Sequence, residues 1–302
     1  MSNGVLGQGT RDKGQEREDR GQERVKEKLH QVKETIAGFG RVIVAFSGGV
    51  DSTVLAVLAQ EVLGRDHVLA VTADSPSLSR ADLEEAVRLA RQRRLRHLVI
   101  PTHEVADSAY RANTEARCYI CKHTLFEELE ELAKARQIPV VLYGAIGDDQ
   151  PAERPGQQAA LQFGVRAPLQ EVGLAKWEIR ELAKRLGLAN WDRPQNACLS
   201  SRIPHGDEVN EQKLGQVERA EALLRAEGFR QVRVRHLGTH ARIEVGRNEI
   251  SRFQDACLCQ EIARRFETLG FATIGVDRAG YRSGGADTTP SDEVLLTAIS
   301  KC

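Results

Sequence analysis

The hexapeptide Ser47-Gly48-Gly49-Val50-Asp51-Ser52 lies between the apolar run Val42 to Phe46 and a second apolar run, Thr53 to Leu58. The first run is short and β-branched, the pattern of a buried strand, while the second has the spacing and composition of a helix. The hexapeptide is therefore a strand-to-helix turn. Two glycines at such a turn let the backbone come close to a ligand, and the free N–H groups of the first helical turn favour phosphate oxygens. Ser47, Ser52 and Thr53 add hydroxyl donors, so Ser47, Gly48, Gly49, Ser52 and Thr53 are candidate nucleotide-binding residues. Asp51 is out of place in an anion site unless it caps the helix or holds Mg²⁺ against the phosphates. No Gly-Lys-Ser/Thr follows the glycines, which separates the turn from a Walker loop.

The motif resembles the pyrophosphate loop of the ATP-pyrophosphatase (PP-loop) superfamily. That resemblance implies ATP as cosubstrate, adenylation of a carboxylate or carbonyl-type oxygen, and release of pyrophosphate. The segments around it agree with such a fold. Val68 to Thr72, His97 to Ile100 and Val140 to Tyr143 read as strands, and they alternate with helical patterns over Arg80 to Arg93 and Tyr119 to Ala135. Strand and helix alternating in this way predict an α/β class, a parallel sheet with helices on both faces. Ligands of such sheets sit beyond the carboxyl ends of the strands, so Asp74 and Gly144 are candidates for holding ribose and adenine.

A helix over Lys176 to Leu186 closes this region at Gly187 and Pro194. The pattern then changes to a helix over Gln212 to Glu227, strands at Val232 to Arg235, Ala241 to Val245 and Phe271 to Ile274, a helix over Ile250 to Leu269, and a short C-terminal helix from Ser291. This predicts a smaller α+β domain. Before Val25 the chain is rich in Gly, Gln and charge and cannot bury enough surface to offset its ordering entropy. From Val25 to Ala37 apolar residues recur at helical spacing. The expected division is a disordered tail over 1–24, a PP-loop domain over 25–195 and a C-terminal domain over 196–302.

Composition removes several function classes. Of 302 residues 41% are hydrophobic, enough for a sizeable core without staples. Lys plus Arg and Asp plus Glu both number 43, so no net field draws the chain to nucleic acid or anionic lipid. No apolar run reaches membrane-spanning length and no signal peptide is evident, which predicts a cytoplasmic protein without a membrane partner. Six cysteines in that setting point to metal, cluster or catalytic thiols. Cys118 and Cys121 form a Cys-x-x-Cys at a helix start and Cys198 stands far away. Redox pair, half a zinc site and chance are open readings, as is a [4Fe-4S] cluster held by three thiolates with one iron left for substrate or sulfide. Cys257 and Cys259 point to different helix faces and read as packing residues. Cys302 is terminal.

The segment Ala197-Cys198-Leu199-Ser200-Ser201-Arg202-Ile203-Pro204-His205-Gly206 narrows the resemblance, together with Asp148-Asp149, Glu153-Arg154-Pro155-Gly156, Arg233-Val234-Arg235 and Gly280-Tyr281-Arg282-Ser283-Gly284. From about Val25 to its end the chain resembles the LarE family, ATP-dependent sulfur transferases of nickel-pincer nucleotide biosynthesis. The resemblance implies pyridinium-3,5-biscarboxylic acid mononucleotide as substrate, its carboxylates adenylated and converted to thiocarboxylates, and homo-oligomers. It also implies that the cysteine at Cys198 is the sulfur donor, sacrificed to dehydroalanine in the best-known members. Those members lack cysteines at Cys118 and Cys121. Another branch carries all three and is associated with a [4Fe-4S] cluster, so here the resemblance implies Cys118, Cys121 and Cys198 as cluster ligands fed by an external sulfide source. Arg202, Arg233 and Arg235 are candidates for the substrate's phosphate and carboxylates, since guanidinium forks match such anions bidentately. Glu221 and Glu244 have counterparts in the family's active-site region, and Glu244 could pair with Arg233 across strands. Arg252 stands where an acidic residue is expected.

Two rivals remain at this point. A PP-loop tRNA thiolase also uses three cysteines and a cluster, but would be expected to carry an excess of basic residues or an RNA-binding module. A nucleotide-sensing regulator with a structural zinc would have no need of Arg202, Arg233 and Arg235.

Overall fold

The computed structural model describes residues 13–149, 155–194, 197–282 and 293–296. Its first half runs α1 (Lys13–Ala37), β1 (Val42–Ala45), α2 (Val50–Leu63), β2 (Val68–Asp74), α3 (Arg80–Gln92), β3 (His97–Pro101), α4 (Ser108–Arg111), α5 (Arg117–Arg136), β4 (Val140–Tyr143), α6 (Pro155–Gln162), α7 (Pro168–Glu171) and α8 (Lys176–Arg185). The strands form a parallel sheet in the order β3-β2-β1-β4. Side chains of a strand alternate between faces. On β1, Val42 and Val44 enter a core with Val54, Leu58, Leu182 and the α1 residues Val25, Val32 and Ile36. Ile43 faces the other way and packs with Phe126 and Leu129 of α5. That double burial is why the run is continuously apolar.

The sheet order has a functional consequence. Chain connections leave β1 toward β2 on one side, and β4 joins on the other, so the switch point lies between β1 and β4. Ligands of open α/β sheets bind at that point, beyond the carboxyl ends of the strands. The hexapeptide after β1 and Gly144 after β4 stand on its two sides.

The second half comprises α9 (Glu211–Ala226), β5 (Val232–Leu237), β6 (His240–Val245), α10 (Ala256–Thr268), β7 (Thr273–Asp277) and β8 (Glu293–Leu295). Its sheet has the order β5-β6-β7-β8, antiparallel except for the β6–β7 pair. Several expectations are corrected. α1 begins at Lys13, not Val25; of the stretch expected to be disordered, 13–24 is helical and 1–12 lies outside the described residues. Lys, Gln, Glu and Arg there are good helix formers and need no core when they extend an anchored helix. The helix expected from Ile250 is instead a 3₁₀ stretch over Arg247–Gln254 followed by α10, because Asp255 accepts from the amides of Cys257 and Leu258 and caps a new start. Where a C-terminal helix was expected, Glu293–Leu295 pairs with β7, so tertiary pairing overrides local propensity. The expected start of that helix, Ser291, lies outside the described residues, as do Glu153, Arg154, Ser283, Gly284 and Cys302.

A smaller apolar cluster joins the two halves. Val105 and Tyr110 from the α4 region pack with Leu199, Ile203, Val209, Leu214 and Val217. Asn113 fastens it. Its amide donates to the carbonyls of Ile203, Pro204 and Asp207 at 3.3, 2.7 and 2.9 Å. Its backbone is left-handed (φ 53°), a conformation Asn tolerates better than most residues. Asn113→Ala should therefore destabilise the protein by about 3 kcal/mol, from lost donors and backbone strain together. Asn113→Gly should recover only the backbone part. Urea unfolding of the three proteins checks this, and equal stability of wild type and Asn113→Ala would show that the loop is held elsewhere.

Candidate active site

The turn after β1 is built from its own hydroxyls. Ser52 Oγ and Thr53 Oγ1 donate to the Gly49 carbonyl at 3.1 and 2.8 Å, and the Ser47 amide donates to Ser52 Oγ. Gly48 has φ +70°, and a Cβ there would stand 2.9 Å from the Ala86 backbone of α3. A Cβ on Gly144 would stand 2.8 Å from the Ser52 amide, so both glycines are required by close approach. Asn190, absent from the candidate residues, clamps the turn by donating to the Gly48 carbonyl and Thr53 Oγ1 at 2.9 and 3.1 Å. Gly49 is the N-cap of α2 and supplies no side chain. The first turn of α2 consequently has no side-chain cap on its amides.

Asp51 does not cap the helix. Its two oxygens receive the Lys176 ammonium at 2.7 and 2.8 Å, a pairing across 125 residues that no local pattern announces. Burial raises the Asp51 carboxyl above its usual range, against the pull of Lys176. Asp149 adds to the rise and Arg180, one turn beyond Lys176, opposes it. Asp148 accepts the Lys176 amide at 2.7 Å, which ties the start of α8 to the β4 rim. Asp74, at the end of β2, pairs with Arg80 at 2.6 Å.

The Cys198 turn is docked on the same rim. The Leu199 amide donates to the Ser77 carbonyl at 2.8 Å, Tyr110 Oη lies 2.7 Å from Ser200 Oγ, and Arg117 donates to the Ser200 carbonyl at 3.0 Å. Arg117 opens α5, the helix that carries Cys118 and Cys121. Burial pushes the Cys121 thiol up to about 12, with further contributions from nearby Cys198, Glu104 and Cys118. Burial likewise raises the Tyr110 phenol, with Cys198 and Cys121 adding to it. Cys118 and Cys198 are exposed, Cys121 half-buried. The structure thus brings the three thiols to one side of the rim. Among the described residues no three Cys, His, Asp or Glu side chains converge as ligands of a single metal ion. Cys259 is buried, Cys257 exposed, and neither belongs to this group.

The arginines stand differently from the expectation of three free anion binders. Arg202 is 1% exposed. It pairs with Glu221 (1% exposed) at 2.8 Å and donates to the carbonyls of Ala197 and Cys198. Arg235, 4% exposed, makes a bidentate pair with Glu244 at 2.9 Å and donates to the Ser201 carbonyl. Glu244 therefore pairs diagonally with Arg235, although Arg233 is its register partner. Both arginines hold the Cys198 turn. Arg233 has no carboxylate within salt-bridge range among the described residues and lies 5.2 Å from the Tyr281 ring. Burial and the neighbouring Arg202 lower its basicity, a cost that an anionic ligand would offset. Gly280 (φ +70°) and the bond from the Tyr281 amide to the Val245 carbonyl place that ring. Arg225, also absent from the candidate residues, joins Glu221 at 2.8 Å. Arg252 stacks on Phe229, away from this group.

Residues 22–145 match the family described as NAD synthase. Pyridinium-3,5-bisthiocarboxylic acid mononucleotide synthase of Lactiplantibacillus plantarum is 35% identical over 257 residues, 85% of this chain and 92% of that protein. The chain belongs to the LarE family. It is also 43% identical to an uncharacterized protein of Synechocystis, over 81% of this chain and 91% of the other. An uncharacterized protein of Methanocaldococcus jannaschii is 29% identical over 80% of this chain and 91% of its own length. With the parallel sheet and its loop, the LarE relationship makes the chain an ATP-dependent enzyme of the PP-loop type.

The Glu221 pair generates a measurable expectation. Burial penalises this carboxylate, but Arg202, Arg225 and Arg233 outweigh it and hold its carboxyl below the usual glutamate range. A depressed folded-state value adds stability above the unfolded value, and that stability is lost as pH falls through the folded one. Glu221→Gln should cost about 3 to 5 kcal/mol at neutral pH, since it leaves buried guanidinium groups without a counter-charge. The gap from wild type should begin to narrow below about pH 4, near the unfolded value, and close only as pH falls further, through the depressed folded value. Urea titrations at both pH values check the sign.

Proposed function

We propose that the chain is an ATP-dependent sulfur transferase that adenylates the carboxylates of pyridinium-3,5-biscarboxylic acid mononucleotide and converts them to thiocarboxylates. The observation that carries the reading is the docking of the Cys198 turn, with Cys118 and Cys121 beside it, on the rim that holds the PP-loop. In this reading the domain boundary falls near 195, and the enzyme acts as a cytoplasmic homo-oligomer without nucleic-acid partners. No described helix is long and apolar enough to cross a membrane.

The chemistry follows from the placement. A substrate carboxylate oxygen attacks the α-phosphorus of ATP, the bond to the bridging oxygen breaks, and pyrophosphate leaves with the electron pair. Hydrosulfide then attacks the acyl carbon, AMP leaves, and a thiocarboxylate remains with no net oxidation. Ser47, Gly48, Gly49, Ser52 and Thr53 present the first helical turn to the phosphates. Asp74 and Gly144 flank the nucleoside, and Asp51 is the carboxylate suited to Mg²⁺, whose charge would offset that of the phosphates. Arg233 faces the substrate's anionic groups directly. Arg202 and Arg235, with Glu221 and Glu244, keep the Cys198 turn in place and contribute positive field.

Sulfide delivery is the finer part of the proposal. In this reading Cys118, Cys121 and Cys198, of which Cys118 and Cys198 both lie near enough to act on the Cys121 thiol, would hold a [4Fe-4S] cluster. A cluster held by these three thiolates would supply an open position able to take up external sulfide. Anaerobically reconstituted protein should contain about four irons per chain and absorb near about 400 nm, and each Cys→Ala variant should lose both properties. Dehydroalanine at Cys198, a loss of about 34 Da corresponding to H₂S, with activity surviving in Cys118→Ala, would favour the sacrificial route instead.

Arg233→Ala should weaken substrate binding about tenfold or more, the worth of one charge-assisted hydrogen bond. Arg235→Ala should chiefly lower stability, because it leaves Glu244 buried without its partner. Isothermal titration with thermal unfolding separates the two effects. Equal losses of affinity at equal stability would return Arg235 to direct substrate contact.

A further inference from the structure

One face of the second sheet packs on α9 and α10, so the alternate residues of its strands, Arg233 and Arg235 on β5 and Arg242 and Glu244 on β6, share the other face. There Arg242 is the register partner of Arg235 on one side and of Gly275 of β7 on the other. It is 2% exposed, and its Nε is buried without a hydrogen-bond partner. Among the described residues two carboxylates lie within ion-pair range of it, Glu244 at 3.7 Å and Glu293 at 3.9 Å. Both are committed elsewhere. Glu244 is bidentate with Arg235 at 2.9 Å, and Glu293 meets His240 at 2.8 Å. The guanidinium of Arg242 therefore keeps unused donors in a buried setting, where an unmade hydrogen bond is costly. A side chain at Gly275 would collide with the Glu293 carboxylate, so the place beside Arg242 is one that already admits anionic oxygen.

We infer, on the mononucleotide reading given above, that Arg242 binds the phosphate of the substrate. A guanidinium fork with unused donors matches an oxyanion, phosphate or carboxylate, in two-point geometry. Its place on the sheet decides which. The reacting carboxylate must reach the Cys198 turn, and that turn is held from β5, where Arg235 donates to the Ser201 carbonyl. β6 lies one strand further from the turn, about 4.8 Å, so Arg242 receives a group remote from the reaction. The phosphate is that group, since no bond to it is made or broken. Arg233 is the diagonal neighbour of Arg242 on the same face, roughly 7 Å away. Two guanidinium groups at that spacing answer a ligand with charge at two points, and Arg233 is left for a carboxylate. What gives way on binding is the long contact to Glu293, which sits on the three-residue strand β8 and keeps His240 as its partner.

The test is isothermal titration of full-length protein with pyridinium-3,5-biscarboxylic acid mononucleotide and with its riboside, which lacks the phosphate. Wild type should bind the mononucleotide about tenfold or more tightly than the riboside, the worth of one charge-assisted hydrogen bond. Arg242→Met should bind the mononucleotide about tenfold or more weakly than wild type does, with affinity for the riboside within about twofold. Its melting temperature should not fall, because a buried charge with long, shared ion pairs adds little net stability and an apolar chain of similar length removes its desolvation cost. A merely structural role predicts the opposite: a lower melting temperature and equal losses for both ligands. Should Arg242→Met fail to fold, Arg242→Lys keeps the charge without the fork, and should lose about threefold or more for the mononucleotide and nothing for the riboside. Unchanged mononucleotide affinity in the variant that folds, or an equal loss for both ligands, would overturn the role of Arg242 and leave the substrate reading in place. Failure of wild type to bind either ligand would overturn that reading and the role of Arg242 with it.

Discussion

The buried pair of Arg202 and Glu221 is the interaction on which the site depends. Taking two charges out of water is expensive, and here the loss is offset by a 2.8 Å contact, by Arg225 on the other carboxylate oxygen, and by the Val234 amide. The pair is therefore weak as a source of net stability. Its value is positional. The remaining guanidinium donors of Arg202 hold the carbonyls of Ala197 and Cys198, so the chain direction at Cys198 is set from α9 and β5 behind it. Arg235 repeats the device one strand position later by holding the Ser201 carbonyl while Glu244 neutralises it. A turn fixed from behind in this way presents its cysteine forward.

What lies forward is the carboxyl rim of the parallel sheet, and the docking there is polar as well as apolar. Tyr110, Arg117 and the Ser77 carbonyl each take a specific group of the Cys198–Ser200 stretch, and Asn113 takes the loop that follows. Each of these buried partners would be costly to leave unpaired, so the two halves are held in register as well as in contact. Under the proposed reading this precision matters, since the acyl carbon of an adenylate must meet hydrosulfide before water does. A misplacement of about 1 Å can cost two orders of magnitude in rate.

The strand-to-helix turn, the parallel sheet and the approximate place of every strand before residue 195 were legible because each rests on a local pattern: a β-branched run, a glycine pair, a helical period. The second half was less so. The Asp255 cap was a local signal passed over, whereas the Glu293–Leu295 strand exists only because β7 offers it an edge. Side-chain partners across long separations were the least legible. Nothing near Lys176 names Asp51, and nothing near Asn190 names Gly48. The arginines show the same limit in another form. Their spacing places Arg233 and Arg235 on one strand, but whether a guanidinium meets a buried glutamate depends on which carboxylate the fold delivers. Arg233 and Arg235, two positions apart on one strand, come out on opposite sides of that division.

The balanced charge of the chain takes on a sharper meaning once its charges are located. Forty-three basic and forty-three acidic residues cancel overall, yet around Glu221 three arginines face one carboxylate, and beside the PP-loop Lys176 and Arg180 face Asp51 and Asp149. Long polyanions are held by extended fields that follow their phosphates, and such a field falls steeply with salt. Two compact clusters of charge in partly buried settings act differently, the one around Glu221 with a positive excess and the one beside the PP-loop balanced by its own carboxylates. They are screened less, reach only a few ångströms, and match a ligand that carries its charge at two points. Under the proposed reading ATP binds beside one group and a small anionic mononucleotide beside the other, with the thiols on the shared rim. A tRNA would leave most of its charge unanswered. Under the proposed reading the distribution of charge favours the small nucleotide over a tRNA, a choice that the cysteines, common to both classes of thiolating enzyme, leave open.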